Sequence, residues 1–239
     1  MSNKNKILAY VISISFVFSA FLVNARFSCF DKLFYLHEHA NLKLYGYSIS
    51  EYIGISDTEL NELTAFTLDY LNNPEATLDK KMNIDGSNRG VKNNNPVEVF
   101  TDDEKAHMVD VRKLSIGSMY LMYACLFIVF IGFDIYVGRK EERIFQYYKK
   151  TVIGAFAVFG LLTLWILIDF DSFWTTFHHI FFAGNDLWLL NLRTDVLIMI
   201  VPPEFFYHLV LRIIILFVLA LLIFGLVLYL LEKKWFAND

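Results

Sequence analysis

Four apolar runs constrain this chain before any other feature: roughly 7–25, 115–137, 151–170 and 209–231. Each is long enough to cross a bilayer core, which takes about 20 helical residues. Hydrocarbon offers no partner to a backbone N–H or C=O, so each run must be an α-helix. With 56% hydrophobic residues and 17% aromatics over 239 residues, the expectation is an all-α membrane protein with four transmembrane helices. The net charge of −4 is small, and no basic cluster is interleaved with aromatics, which speaks against nucleic acid as a partner.

The lysines and arginines near the span ends predict an orientation. Lys4 and Lys6 precede the first span. Arg139, Lys140, Arg143, Lys149 and Lys150 fill the connection 138–150, and Lys233 and Lys234 follow the last span. These segments are expected in the cytoplasm, with both termini. Segments 26–113 and 171–208 are then extracytoplasmic. The first run, behind its two lysines, also resembles a secretory signal peptide. It is long for one and Arg26 follows it at once, so it reads as a retained span. The residues before Cys29 do not form a lipobox. Cys29 and Cys125 fall at different depths, which predicts two thiols rather than a disulfide.

Residues 26–55 are aromatic and suit a bilayer interface. They include His37-Glu38-His39. Side chains two apart on a helix diverge, so a solvated surface is expected there rather than a metal pair. Ser56-Asp57-Thr58-Glu59 and Thr101-Asp102-Asp103-Glu104 each match a capping box. Behind the first, Leu60, Leu63, Phe66 or Thr67, and Tyr70 or Leu71 recur at helical spacing, and Asn72-Asn73-Pro74 ends the element. Residues 79–97 are polar and read as a loop. The second box opens a helix that runs towards span two. On it His107 and Asp110 share a face. A carboxylate one turn from an imidazole can fix its tautomer and raise its basicity, although the spacing also fits an ordinary surface pair. Asp134 lies near the cytoplasmic end of span two, within reach of headgroups.

The stretch 177–206, FHHIFFAGNDLWLLNLRTDVLIMIVPPEFF, is apolar enough for lipid yet carries His178, His179, Asn185, Asp195 and a double proline. Residues 195–201 are too short to span, and Pro202-Pro203 interrupts any helix. A re-entrant or interfacial element is expected, with Phe181, Phe182 and Trp188 as an aromatic floor. Arg212 opens span four, where it can meet a phosphate or an acid such as Asp195. All six histidines lie in outer segments or at their edges. His107 begins the descent into span two and His178 ends the ascent of span three, so the two can meet at one depth.

Two motifs resemble those of a known family. His107, Met108, Asp110 and Val111 match its HM-x-DV motif. Phe177, His178, Phe181, Phe182, Trp188, Asp195, Leu197, Ile198, Pro202, Phe205 and Phe206 match its second. The four-span layout is also similar to that of this bacterial family, the lipoprotein intramolecular transacylases. The resemblance implies a lipoprotein substrate whose N-terminal cysteine bears a diacylglyceryl group. The sn-2 acyl chain would move to the α-amino group of the same cysteine, giving a lyso form. It implies catalysis by His107 and His178, with His178 as base and Asp110 orienting His107, or with the two imidazole roles exchanged. His179, Phe181, Phe182, Asn185, Trp188, Asp195 and Arg212 would support the site or bind substrate. It also implies a multi-pass protein of the bacterial cytoplasmic membrane, acting on its outer side among membrane lipids. No cofactor or metal is needed for ester-to-amide exchange.

Two other readings compete. A metal-dependent membrane hydrolase would use His37, His39, His107 and His178 or His179. A non-catalytic membrane sensor or subunit would bind a partner through its outer segment. Oligomeric state has no signature in the sequence.

Overall fold

The computed structural model describes residues 3–85, 96–138 and 144–236. The chain is helical, with two small strand pairs. In order the elements are α1 (Asn3–Phe30), α2 (Lys32–Asn41), β1 (Lys43–Leu44), β2 (Tyr47–Ser48), α3 (Ile49–Ile53), α4 (Asp57–Asn72), β3 (Lys81–Met82) and β4 (Val97–Glu98). Then come α5 (Asp102–Gly138), α6 (Ile144–Ile168), α7 (Phe170–Phe181), α8 (Val196–Ile200) and α9 (Pro203–Phe236). Among the described residues, four helices are long and apolar enough to cross a membrane, α1, α5, α6 and α9.

These helices outrun the apolar runs that mark them. α5 has 37 residues and starts at its capping box with no break before the span. At about 1.5 Å per residue it far exceeds a bilayer core of about 30 Å. A helix stops where its backbone partners or a proline stop it, not where hydropathy changes. Arg139, Lys140 and Arg143, on which part of the predicted orientation rests, lie outside the described residues.

The chain divides into two compact units. The first contains 1–27, 118–173 and 211–239. Its interior is built from Ala9, Ile12, Ile144, Tyr148 and Leu228, continued by Val17, Ala20, Phe217 and Leu221. Phe16 stacks on Phe224, and the Tyr148 hydroxyl donates to the Leu221 carbonyl. α1 passes close to α5 at Gly132, where a Cβ would meet Ile12 at 2.7 Å. Such small-residue contacts let helices approach in lipid. Large apolar side chains such as Phe130, Leu161 and Ile168 point outward. Water would penalise that surface and acyl chains would not.

The second unit contains 28–117 and 174–210. Ile49, Ile53, Leu60, Leu63, Phe100, Met199, Ile200 and Phe205 are almost wholly buried in it. β1 and β2 form a hairpin whose loop residues, Tyr45 and Gly46, both have positive φ, as a tight two-residue turn requires. Gly54 ends α3 at φ +88, and a Cβ there would lie 1.7 Å from the Asp85 carbonyl oxygen, so only glycine fits. α4 begins at the expected Ser56–Glu59 capping box and buries Leu60, Leu63, Thr67 and Tyr70.

Two expectations need correction. The segment 79–97 is not simply a loop: its ends pair antiparallel, Lys81 with Glu98 and Met82 with Val97, while 86–95 lies outside the described residues. His37-Glu38-His39 is not a solvated surface either. His37 is exposed, but Glu38 and His39 are buried. His39 Nε2–H donates to the Ile200 carbonyl at 3.0 Å, and His208 Nδ1–H donates to Glu38 at 2.6 Å. Both contacts tie α2 to the chain around α8, which is buried within this unit.

Candidate active site

The site is assembled on α5, α7 and the turn after α7. At the head of α5 the Thr101 hydroxyl accepts from the Glu104 N–H, and Glu104 Oε2 accepts from the Thr101 N–H. This is the capping box read from the sequence. Its glutamate does more than close one helix. Glu104 is 0% exposed, and its other oxygen accepts from the Leu197 N–H at 2.6 Å. Asp195, the residue before α8, makes no side-chain cap. Its carboxylate accepts instead from the Asn191 N–H and the Thr194 hydroxyl. Glu104 therefore caps α8 from another helix. His107 follows one turn along α5, on the same face, and is 7% exposed.

α7 reads FDSFWTTFHHIF, and its buried residue is His178, 5% exposed. The spacing from Trp174 puts the ring over the preceding turn. His178 Nδ1–H donates to the Trp174 carbonyl at 2.7 Å. That bond assigns the tautomer and leaves the Nε2 lone pair as the available base. Trp188 stacks on the ring at 4.7 Å and 28°, and Trp174 meets it edge-on at 4.7 Å. Phe206 backs Trp174 at 4.4 Å.

The two predicted histidines come together. The His107 and His178 rings are 6.1 Å apart between centroids and nearly parallel at 29°. Phe182 touches both, at 5.1 Å and 5.4 Å. Burial holds His178 below the ordinary imidazole range, the Trp174 carbonyl opposes that shift, and the His179 charge adds to it. The ring is therefore uncharged at neutral pH. His107 Nδ1 and the Trp188 indole N–H have no hydrogen-bond partner among the described residues. Buried polar groups normally find one, so these two atoms are suited to meeting a ligand.

A cleft of about 360 Å³ opens beside the pair. Asp110, Lys113 and Asn185 line its polar side, and Leu114, Phe181 and Phe182 its apolar side. Asp110 differs from expectation. Its oxygens accept from Lys113 at 2.9 Å and Asn185 at 3.2 Å, and no hydrogen bond joins it to His107 among the described residues. His179 is exposed and meets the Trp188 edge at 5.3 Å. Arg212 belongs to the other unit, where its guanidinium lies over Phe27. Among the described residues no three His, Cys, Asp or Glu side chains form a metal-binding group, so the histidines of the hydrolase reading are not gathered into one.

Three contributors were not singled out by sequence reasoning: the second role of Glu104, the carbonyl and ring of Trp174, and Lys113. The i−4 spacing of Trp174 from His178 was the available sign for the second. Lys113 stands three residues after Asp110 on the same helix, a spacing that was equally available, whereas the second role of Glu104 depends on a contact no local pattern announces.

The model of the family described as lipoprotein intramolecular transacylase Lit matches residues 10–206. Among solved structures, the membrane integral lipoprotein intramolecular transacylase Lit from Bacillus cereus superposes with a TM-score of 0.78 at 23% identity, covering 100% of both chains. Two variants of that protein are also similar. One carries a histidine-to-arginine change (TM-score 0.75, 22% identity, 99% of this chain and 95% of that one). The other carries histidine-to-alanine (TM-score 0.70, 23% identity, 98% and 94%). At such identities the likeness is one of fold. No match is found among curated protein sequences.

Proposed function

Because the chain belongs to the lipoprotein intramolecular transacylase family, its activity is acyl transfer within a lipoprotein, and we propose that it moves the sn-2 acyl chain of a diacylglyceryl-cysteine onto the α-amino group of that cysteine. The observation that carries this reading is the buried, near-parallel pair of His107 and His178 with the His178 tautomer fixed.

The chemistry follows from what neutral imidazoles do. An α-ammonium has a pKa of about 8 and is not a nucleophile until it loses a proton. His178 Nε2 takes a proton from the nitrogen. The freed amine attacks the sn-2 ester carbonyl, forming the C–N bond and an oxyanion. His107 stabilises that oxyanion by donating from a ring N–H. As the C–O bond breaks, the imidazolium returns a proton to the glyceryl oxygen. The second proton leaves the nitrogen for water. The products are an amide and a secondary alcohol. The two imidazole roles are exchangeable in this scheme. Donor and acceptor belong to one molecule, so holding them together supplies much of the rate. Phe181, Phe182 and Trp188 receive the acyl chain. His179, Asn185 and Asp195 support the site.

In this reading both termini and the 138–150 connection face the cytoplasm. Segments 26–113 and 171–208 carry the active site on the outer side of a bacterial cytoplasmic membrane, with 171–208 at the lipid interface. The test is expression in cells that lack N-acylation, with mass spectrometry of one abundant lipoprotein's N-terminal peptide. Conversion to the N-acyl, S-monoacylglyceryl form is expected. His107→Ala and His178→Ala should each reduce it by about 10²-fold or more, since a positioned acid or base contributes that much. Full conversion by His178→Ala would remove that residue from the mechanism.

A further inference from the structure

We propose that Asp110 is the docking point for the α-ammonium of the substrate's N-terminal cysteine, and that Lys113 is a displaceable stand-in for it. The inference rests on the transacylase reading and specifies how the reacting nitrogen is delivered.

Any substrate of this class arrives with a cationic nitrogen, because an α-amino group is mostly protonated below about pH 8. A cleft with an apolar side built by Leu114, Phe181 and Phe182 disfavours that charge unless an anion meets it. Asp110 is the acid lining this cleft. Its two oxygens are used differently. Oδ2 accepts from Asn185 Nδ2, which orients the carboxylate across 75 residues of sequence. Oδ1 accepts from Lys113 Nζ at 2.9 Å. The Lys113 side chain is 72% exposed and that of Asp110 28%. A pair this exposed is weak. One ammonium can therefore replace another at Oδ1 at little cost, with no change in net charge. The position is also right for the chemistry. Asp110 stands one turn from His107 on the same face of α5. Phe182 lines the cleft and touches both imidazoles. A nitrogen held at Oδ1 sits in the cleft that Phe182 shares with the imidazole pair.

The test separates binding from turnover by using the His178→Ala enzyme and a synthetic diacylglyceryl-cysteine lipopeptide. Adding Lys113→Met should tighten binding about two- to fivefold, because the competing cation is gone. Adding Asp110→Asn should weaken it about fivefold or more. Asp110→Glu, which keeps the charge, should retain most of the affinity and so excludes misfolding as the cause. The N-acetylated lipopeptide, uncharged at nitrogen, should bind all of these variants alike. Weaker or unchanged binding with Lys113→Met overturns the proposal, as does an N-acetylated ligand that tracks the same changes. Turnover by the unsubstituted enzyme is scored separately: its absence sinks the transacylase reading, whereas an inverted binding pattern sinks the docking role alone.

Discussion

Burial keeps the His178 ring uncharged, while the hydrogen bond from Nδ1–H to the Trp174 carbonyl fixes its tautomer and opposes that shift. In the reading we propose, the catalytic form is the unprotonated ring. Its folded pKa lies below the ordinary 6.5. Activity should then persist as pH falls through 6.5 and decline only at lower pH. A pH profile of kcat/KM checks this, and an acid limb at or above 6.5 would contradict it. The convergence of His107 and His178 was legible from the placement of every histidine in outer segments. The distant partner of Asp110, Asn185, was not. The spacing to His107 suggested a local pair, whereas the carboxylate is claimed by Lys113 and by Asn185 from the turn after α7.

At the scale of elements, the caps were the most legible part of the fold. Ser56–Glu59 and Thr101–Glu104 act as read. Side-chain-to-backbone bonds three residues apart are written in the sequence itself. The burial of Glu38 and His39 was not, because their partners, His208 and Ile200, lie 170 and 161 residues away. Glu104 combines both kinds of contact. Glu104→Ala should remove the acceptor from two backbone donors, at about 1–3 kcal/mol each. Thermal unfolding in detergent should show a clear fall in Tm. Glu104→Gln should cost less, since it keeps one acceptor oxygen. An unchanged Tm for Glu104→Ala would mean α8 is not held from α5.

For the whole molecule, the four helices were visible as apolar runs because lipid makes the same demand on every spanning segment. The start of α5 at its capping box was legible too, whereas α9 begins at Pro203, ahead of the run that marks it. The orientation we propose makes a direct prediction. In a cysteine-free background, Glu75→Cys should react with a membrane-impermeant thiol reagent added to intact cells, and Lys149→Cys only after lysis. The reverse pattern would invert the topology.

Among the described residues, no carboxylate hydrogen-bonds the imidazole we propose as proton acceptor. Its tautomer is set by a carbonyl four residues back on the same helix. What tunes it is dryness. Stripping the indole from Trp188, which covers one face of the ring, should admit solvent and make the charged form easier to reach. Trp188→Ala should thus move the acid limb of the rate profile towards 6.5 while the reactive nitrogen stays the same. In that reading, a base whose strength is set chiefly by its cover becomes a better or worse proton acceptor according to how completely an acyl chain seals the site.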